Sequence, residues 1–479
     1  MTHFETLQAS KVFAALPAVP DEKTVDQLLA NELQNFNKKI IVLDDDPTGV
    51  QTVHGISVYT DWSPENIEAG FAEDNSMFFI LTNSRGFTAE ETEKAHKEIA
   101  SIIRETADKH NKEFIIISRG DSTLRGHYPL ETEVLKNTVE QQSDISFDGE
   151  VIMPFFQEGG RFTIDNVHYV QDEDDLIPAG ETEFAKDRTF GYRSSHLGEW
   201  AQEKSMGAFK ASDAVYLSLE DIRSLNIDHL VEQLMSVKDF NKVIVNATQY
   251  IDAKVVVIAL IRAMNAGKHF MFRSAAALTK IIGGVADRGL LTKQELITND
   301  SGNGGLIMIG SHVKKTTEQF EVLRTCDFIE FIEFDVHLVL HPEKFQAEIE
   351  RVIETSEQLI RQGQTVAVYT KRERLDLGDN QQEEELKLSV KISDAVTSIV
   401  KKLHVRPSFI IAKGGITSSD IGTKGLSVKR ATVAGQIKPG IPVWLTGSES
   451  KYPGLAYVIF PGNVGSKTSL KEVAELLHS

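Results

Sequence analysis

The chain has 479 residues, with 51 basic against 70 acidic side chains, a formal charge of −19, and 41% hydrophobic residues. One core rarely grows past about 300 residues, so two domains are expected. The single cysteine, Cys326, excludes an intramolecular disulfide and any multi-cysteine zinc or iron–sulfur site, and the acidic balance argues against non-specific binding to nucleic acid or an anionic membrane.

The first residues carry no basic start followed by a long apolar core, and no apolar run approaches the roughly 20 residues of a membrane span, so a soluble cytoplasmic protein is expected. From there, short apolar runs recur at Lys39–Leu43, Met77–Thr82, Phe114–Ser118, Glu150–Pro154, Ala214–Leu217 and Val243–Asn246. Each is too short for a helix and bounded by turn residues, the pattern of a buried parallel strand. Between them lie amphipathic stretches at Thr88–His110, Asp221–Ser236 and Ile251–Ala266; Thr88 followed by Glu91 is a capping-box pattern. The acidic run Gln171–Asp175 is expected as a solvated loop, and the polar stretch Leu291–Gly305 as a linker. Alternation then restarts, with strands predicted at Leu306–Ile309, Phe328–Phe334, Thr365–Tyr369, Ser408–Ala412, Pro442–Leu445 and Leu455–Phe460. Helices are predicted at Lys314–Leu323, Pro342–Arg361 and Glu383–Leu403, the last opening on the acidic run Gln381–Glu385. The expected fold is two α/β domains with mostly parallel sheets, residues 1–300 and 301–479, with ligands in the cleft between them.

In such sheets ligands gather at the carboxyl ends of strands. The first strand ends in Asp44-Asp45-Asp46-Pro47-Thr48-Gly49, the second in Thr82-Asn83-Ser84-Arg85, the third in Arg119-Gly120-Asp121-Ser122-Thr123-Leu124-Arg125. Adjacent carboxylates repel unless a cation, an arginine or a substrate hydroxyl offsets them. Guanidinium groups bind carboxylates bidentately, so Arg85, Arg119 and Arg125 beside the aspartates describe a site for a small hydroxylated acid, with Asp121 and Ser122 for its hydroxyls. A purely structural ion network would use the same residues. Glu158–Arg161 and Ile177–Thr182 are expected to cover this face as a lid. Arg273, after a further strand, reads as a partner of a local carbonyl. Later in the chain, Gly310-Ser311-His312, Lys413-Gly414-Gly415-Ile416-Thr417-Ser418 and Pro461-Gly462-Asn463-Val464-Gly465 each follow a predicted strand. Glycine turns leading into helix N-termini let the backbone approach phosphates, although none of the three is a Walker A or dinucleotide motif.

These segments resemble the four-carbon acid sugar kinases. The DDxTGA motif of that family is similar to Asp45–Val50, TxSR to Thr82–Arg85, and K-x-D-S-T-L-R-G to Arg119–Gly126. Gly160-Arg161 and Glu181–Asp187 resemble its mid-domain segment. Gly310-Ser311, Gly414–Ser418 (GGETS), Pro439–Pro442 (PGxP) and Pro461–Gly465 (KSGNFG) follow in the expected order. The resemblance implies an N-terminal domain for a small sugar acid and a C-terminal domain for ATP, with Mg2+ on the phosphates. Ser311, Gly414, Gly415, Ile416, Thr417, Gly462 and Asn463 would contact the nucleotide. Three departures mark a divergent subgroup: Ile416 replaces the Glu of GGETS, Phe460-Pro461 replace Lys-Ser of the tail motif, and Arg119 replaces a Lys. An N-terminal extension runs to about Asn37.

The expected activity is therefore ATP-dependent phosphorylation of a sugar-acid hydroxyl. Asp45 or Asp46 would accept the proton; Arg85, Arg119, Asp121, Ser122, Arg125 and Arg161 would bind the acid; protein metal ligands are left unassigned. A homodimer is compatible with the size. One rival is a Mg2+-dependent phosphatase of haloacid-dehalogenase type, with Asp44 as nucleophile and Asp46 as acid/base in a D-x-D-x-T pattern. A second is a sugar-acid binding protein without catalysis.

Overall fold

The computed structural model describes residues 4–298, 301–373 and 382–478. The chain forms two compact units, residues 1–45 with 61–287 and residues 46–60 with 288–479. This differs from a single boundary at 300, and hydrogen bonding explains the difference. Strand Ser57–Tyr59 pairs antiparallel with Arg430–Lys438, and the Gln51 side-chain amide donates to Gly440 O at 3.0 Å. The expected linker is not one over its first part. Leu291 and Leu296 are buried in the core of the second unit, and Leu291 N donates to Gln436 O. Residues 299–300 of that stretch lie outside the described residues.

Among the described residues, the main sheet of the first unit has seven parallel strands. Their order is Val215–Leu217, Asn241–Val245, Gly149–Met153, Phe270–Ser274, Phe114–Arg119, Lys39–Asp44 and Met77–Leu81. The runs KIIVLD and MFFIL are buried along their whole length, as a sheet covered on both faces requires. Helix Ala89–Lys109 starts with the expected capping box: Glu91 N donates to Thr88 Oγ1 and Thr88 N donates to Glu91 Oε2. The single helix expected over 221–236 is broken into Leu219–Arg223 and Ile227–Ser236. Leu225 takes a positive φ of 55° between them, and Asn226 turns its amide back to Asp221.

A second, antiparallel sheet in this unit holds Leu7–Gln8, Asp175–Pro178, Val167–Asp172 and Arg161–Ile164 in that order. The two segments expected as a lid flank this small sheet: only Arg161 and Ile177-Pro178 are in its strands, and the rest lie in or beside 3-10 turns at Gln157–Gly159 and Ala179–Glu181. The acidic run at 171–175 forms the hairpin end between two of its strands. The N-terminal extension is ordered against this unit. Its helix Glu22–Gln34 is joined to helix Tyr250–Asn265 by Lys254–Asp26 and Arg262–Glu32 ion pairs.

The second unit has eight strands among the described residues. Five are parallel, in the order Ala456–Phe460, Phe409–Lys413, Leu306–Ile309, Thr365–Thr370 and Ile329–Phe334. Three are antiparallel, Ser57–Tyr59, Arg430–Lys438 and Ile441–Thr446, the last pairing with Ala456–Phe460. The Pro439-Gly440 turn closes the hairpin between two of them, with Gly440 at φ 75°. Helices Lys314–Leu323, Pro342–Arg361 and Gln382–Lys402 follow the sequence pattern; Gln381 lies outside the described residues. No helix among the described residues is long and apolar enough to cross a membrane.

Candidate active site: an arginine cluster and a set of glycine turns

In the first unit the strands Met77–Leu81, Lys39–Asp44, Phe114–Arg119 and Phe270–Ser274 are consecutive in the sheet, so their polar carboxyl ends lie side by side. Asp44 and Asp45 are both buried, and arginines offset both carboxylates. Arg119 Nη1 is 3.1 Å from Asp44 Oδ1 and 3.6 Å from Asp45 Oδ1. Arg85 grips Asp45 with two nitrogens, Nη2 at 2.6 Å and Nε at 3.2 Å. Asp44, the last residue of the first strand, is buried and ion-paired with Arg119.

The loop after the third strand holds a second group. Arg125 Nε is 2.7 Å from Asp121 Oδ2, and the Thr123 hydroxyl donates to the same carboxylate. Burial alone would raise the pKa of Asp121, but Arg125 and Arg85 outweigh it and hold the carboxyl well below the usual range. Leu124 in this loop has φ 69°, a left-handed conformation costing a branched side chain about 1–2 kcal/mol. Two buried side chains hold the loop in place. His168 shares a hydrogen bond with Ser122 O at 2.8 Å and meets Thr163 Oγ1 with Nδ1. Burial pushes its pKa down to about 4, so at neutral pH the neutral ring donates from Nε2 and accepts at Nδ1. The Tyr192 hydroxyl donates to Thr123 O at 2.7 Å.

Arg161, brought to this loop by the small sheet, is only 6% exposed. Its guanidinium lies over the Phe184 ring, as does that of Arg125. Burial lowers its pKa to about 10, while Asp121 pulls the other way, so it stays charged at neutral pH. Its Nε has no hydrogen-bond partner, and among the described residues no carboxylate lies within ion-pair distance of it.

Several residues here were not legible as members of the site. Arg273 reaches between the loops: Nη1 meets Glu131 Oε2 at 2.8 Å and Ser118 Oγ at 3.2 Å, and Nη2 meets Arg125 O at 3.1 Å. It is thus the local carbonyl partner expected, and a carboxylate partner as well. Glu131 is buried and also accepts from Ser84 Oγ at 2.6 Å. The sequence held one signal for this: Gly120 and Gly126. A Cβ at Gly120 would stand 2.2 Å from the Arg273 guanidinium, and one at Gly126 2.7 Å, so both glycines make room for it.

In the second unit the three glycine turns meet. Strand Phe409–Lys413 runs between Leu306–Ile309 and Ala456–Phe460, with Lys413 in register with Ile309 and Phe460. A Cβ at Gly310 would lie 2.5 Å from Thr417 Oγ1; one at Gly414, where φ is 117°, would lie 2.9 Å from Ser311 Cβ. Gly462 approaches Ser311 Oγ and Val313, and Thr316 Oγ1 reaches both Ser311 Oγ and Gly462 O. Gly414 N donates to Phe460 O at 2.9 Å. Gly462 and Asn463 are half-buried, while Ile416 is 76% exposed. Asp46 belongs to this unit. Its Oδ1 accepts from Thr48 N at 2.7 Å and from the Thr48 hydroxyl, and its Oδ2 stands 3.3 Å from where Gly415 would carry a Cβ.

Residues 40–282 match the family model of a sugar-binding N-terminal domain, and residues 306–470 that of a nucleotide-binding C-terminal domain. The chain belongs to the four-carbon acid sugar kinase family. The arginine cluster falls in the sugar-binding match and the glycine turns in the nucleotide-binding match; residues 46–60, Asp46 among them, fall in the sugar-binding match but pack with the second unit. Solved structures share the fold at low identity. A Haemophilus influenzae protein of a domain-of-unknown-function family is 17% identical, with a TM-score of 0.58, over 91% of this chain and 100% of its own. A putative tRNA synthase from Salmonella typhimurium is 15% identical, with a TM-score of 0.62, over 90% of this chain and 97% of its own. No curated relative matches the chain.

Proposed function

We propose that this member of the family is an ATP-dependent kinase that phosphorylates a hydroxyl of a small sugar acid. The observation that carries the reading is Arg161: a buried, charged guanidinium at the start of a strand, with no carboxylate within ion-pair distance among the described residues, beside arginines that are already paired. A buried cation of this kind costs several kcal/mol unless an anion meets it, and a carboxylate fits its planar fork. Arg125 and Asp121 beside it supply a donor and an acceptor for the rest of a hydroxylated acid. Asp45, fixed by Arg85 and Arg119, takes the proton of the attacking hydroxyl. Phosphoryl transfer is largely dissociative and needs positioning more than basicity, and two arginines hold this carboxylate in place.

ATP binds at the turns of the second unit, with Ser311, Gly414, Gly415, Ile416, Thr417, Gly462 and Asn463 as its contacts. Among the described residues no cluster of three or more metal-ligating side chains gathers. Mg2+ keeps several waters and is commonly held by one or two carboxylates plus the nucleotide phosphates. Asp46, next to Gly415, is the carboxylate that would hold it; the ion would neutralise the phosphates.

The test is ATP consumption against a panel of four- to six-carbon sugar acids with Mg2+. With the acid that turns over, Arg161→Met raises KM at least tenfold, and Asp45→Asn abolishes transfer while ATP binding persists. Turnover of Asp45→Asn at the wild-type rate removes Asp45 as the base; binding of acids with no ATP consumption by any of them turns the reading to a binding protein.

A further inference from the structure

Lys413 is the last residue of strand Phe409–Lys413 and is completely buried. It stands where the three glycine turns meet, in register with Ile309 on one side and Phe460 on the other. Its Nζ is 2.5 Å from Pro461 O, the first carbonyl of the Pro461–Gly465 turn, and 4.2 Å from the centroid of the Phe460 ring. Among the described residues no carboxylate lies within ion-pair distance of it. The charged group that acts on it is Lys315, another cation, in the first turn of helix Lys314–Leu323.

This is a poor way to stabilise a fold. A methionine would fill the same space without the cost of burying an amine, and the protein has 19 surplus negative charges from which a partner was not drawn. It is a good way to wait for an anion. Backbone N–H groups at the turns give phosphates hydrogen bonds but only partial charges. We propose that Lys413 is the cation that balances the nucleotide phosphates, acting from beneath the Gly414 and Pro461 turns rather than from the surface. The proposal rests on the nucleotide reading of this unit and adds to its expected contacts the lysine that opens the Gly414 turn.

A consequence follows from its state without ligand. Burial, with Lys315 adding to it, pushes the Lys413 pKa down to about 6, so at pH 7.5 the side chain is mostly a neutral amine that still donates to Pro461 O. Arriving phosphates favour the ammonium form. The amine then takes a proton from solvent, with no other bond made or broken, and nucleotide binding is linked to proton uptake.

The experiment is titration calorimetry of the full-length protein with ADP, without metal, at pH 7.5 in two buffers of different ionisation enthalpy. Wild-type protein is expected to take up close to one proton per ADP bound. Lys413→Met is expected to lose that uptake and to bind ADP at least tenfold more weakly, with thermal stability equal to or above wild type. Wild-type binding without proton uptake overturns the role of Lys413, and so does a Met variant with unchanged affinity and uptake. Failure of wild-type protein to bind ADP defeats the nucleotide reading itself. If the Met variant does not fold, the wild-type proton count decides alone.

Discussion

Single side chains in the first unit divide into those proposed to meet ligand and those that hold them. His168 belongs to the second kind, since its ring fixes the Ser122 carbonyl and hence the loop that carries Asp121 and Arg125. Its burial gives the loop a pH limit. The folded-state pKa of about 4 lies below the value near 6.5 expected of the unfolded chain. Below about pH 6.5 the unfolded state therefore binds the proton first, and stability falls as pH drops toward 4; above that range the contribution is fully in place. The whole shift corresponds to about 3 kcal/mol. Urea unfolding of wild type and His168→Gln at pH 7 and pH 5 should show the wild type losing more stability on acidification than the variant. Equal losses would mean that the imidazole is not the group responsible. Arg273 is the same kind of residue: it touches the Arg125 backbone and Glu131, and the bare Cα atoms of Gly120 and Gly126 leave it its place.

The elements were legible where their physics is local. Parallel strands buried on both faces read as short apolar runs, and their polar ends mark a site by position alone; Asp45, Arg85, Arg119 and Asp121 come from that pattern. Arg273, Glu131 and His168 do not, because strand order rather than sequence places Phe270–Ser274 beside Phe114–Arg119. Strand Arg430–Lys438 was hidden by bulges around Gly435 and Lys438, which interrupt its alternation. The strands of the small sheet, RFTI, VHYVQD and DLIP, mix polar with apolar residues, so they lack the unbroken apolar run that marks a strand buried on both faces. That sheet gives the N-terminal extension a task. Leu7–Gln8 pairs with Asp175–Pro178, Ser10 N and the Gln8 amide bond Asp174, and Phe13 packs edge-on against Phe162 at 5.2 Å, one residue from Arg161. An edge contact of this kind is worth about 0.5–1.5 kcal/mol. Phe13→Ala should therefore loosen the strand that presents Arg161, raising KM for the acid about threefold or more while leaving KM for ATP unchanged. Steady-state kinetics with each substrate varied in turn separates the two; equal effects on both would make the extension a general stabiliser instead.

For the molecule as a whole, the charge of −19 sets a problem that the local geometry answers. Both proposed ligands are anions, and the long-range field of an acidic protein repels them. Attraction must come at short range, from Arg161 and Arg125 beside Asp121 in one unit and from Lys413 and the turn N–H groups in the other. Salt acts on these two parts in opposite senses. At physiological ionic strength charges in solvent are screened beyond about 8 Å, whereas buried pairs are screened much less. Raising salt therefore removes long-range repulsion while barely touching contacts at Arg161, and the two changes offset one another. Between 50 and 500 mM potassium chloride, KM for the acid should rise by less than about threefold, with kcat unchanged, because the binding contacts lie inside the screening length. A binding site built on exposed lysines would weaken by a factor of ten or more over the same range. A measured rise of that size would show that the acid is held by surface charge, and Arg161 would lose its place as the receptor.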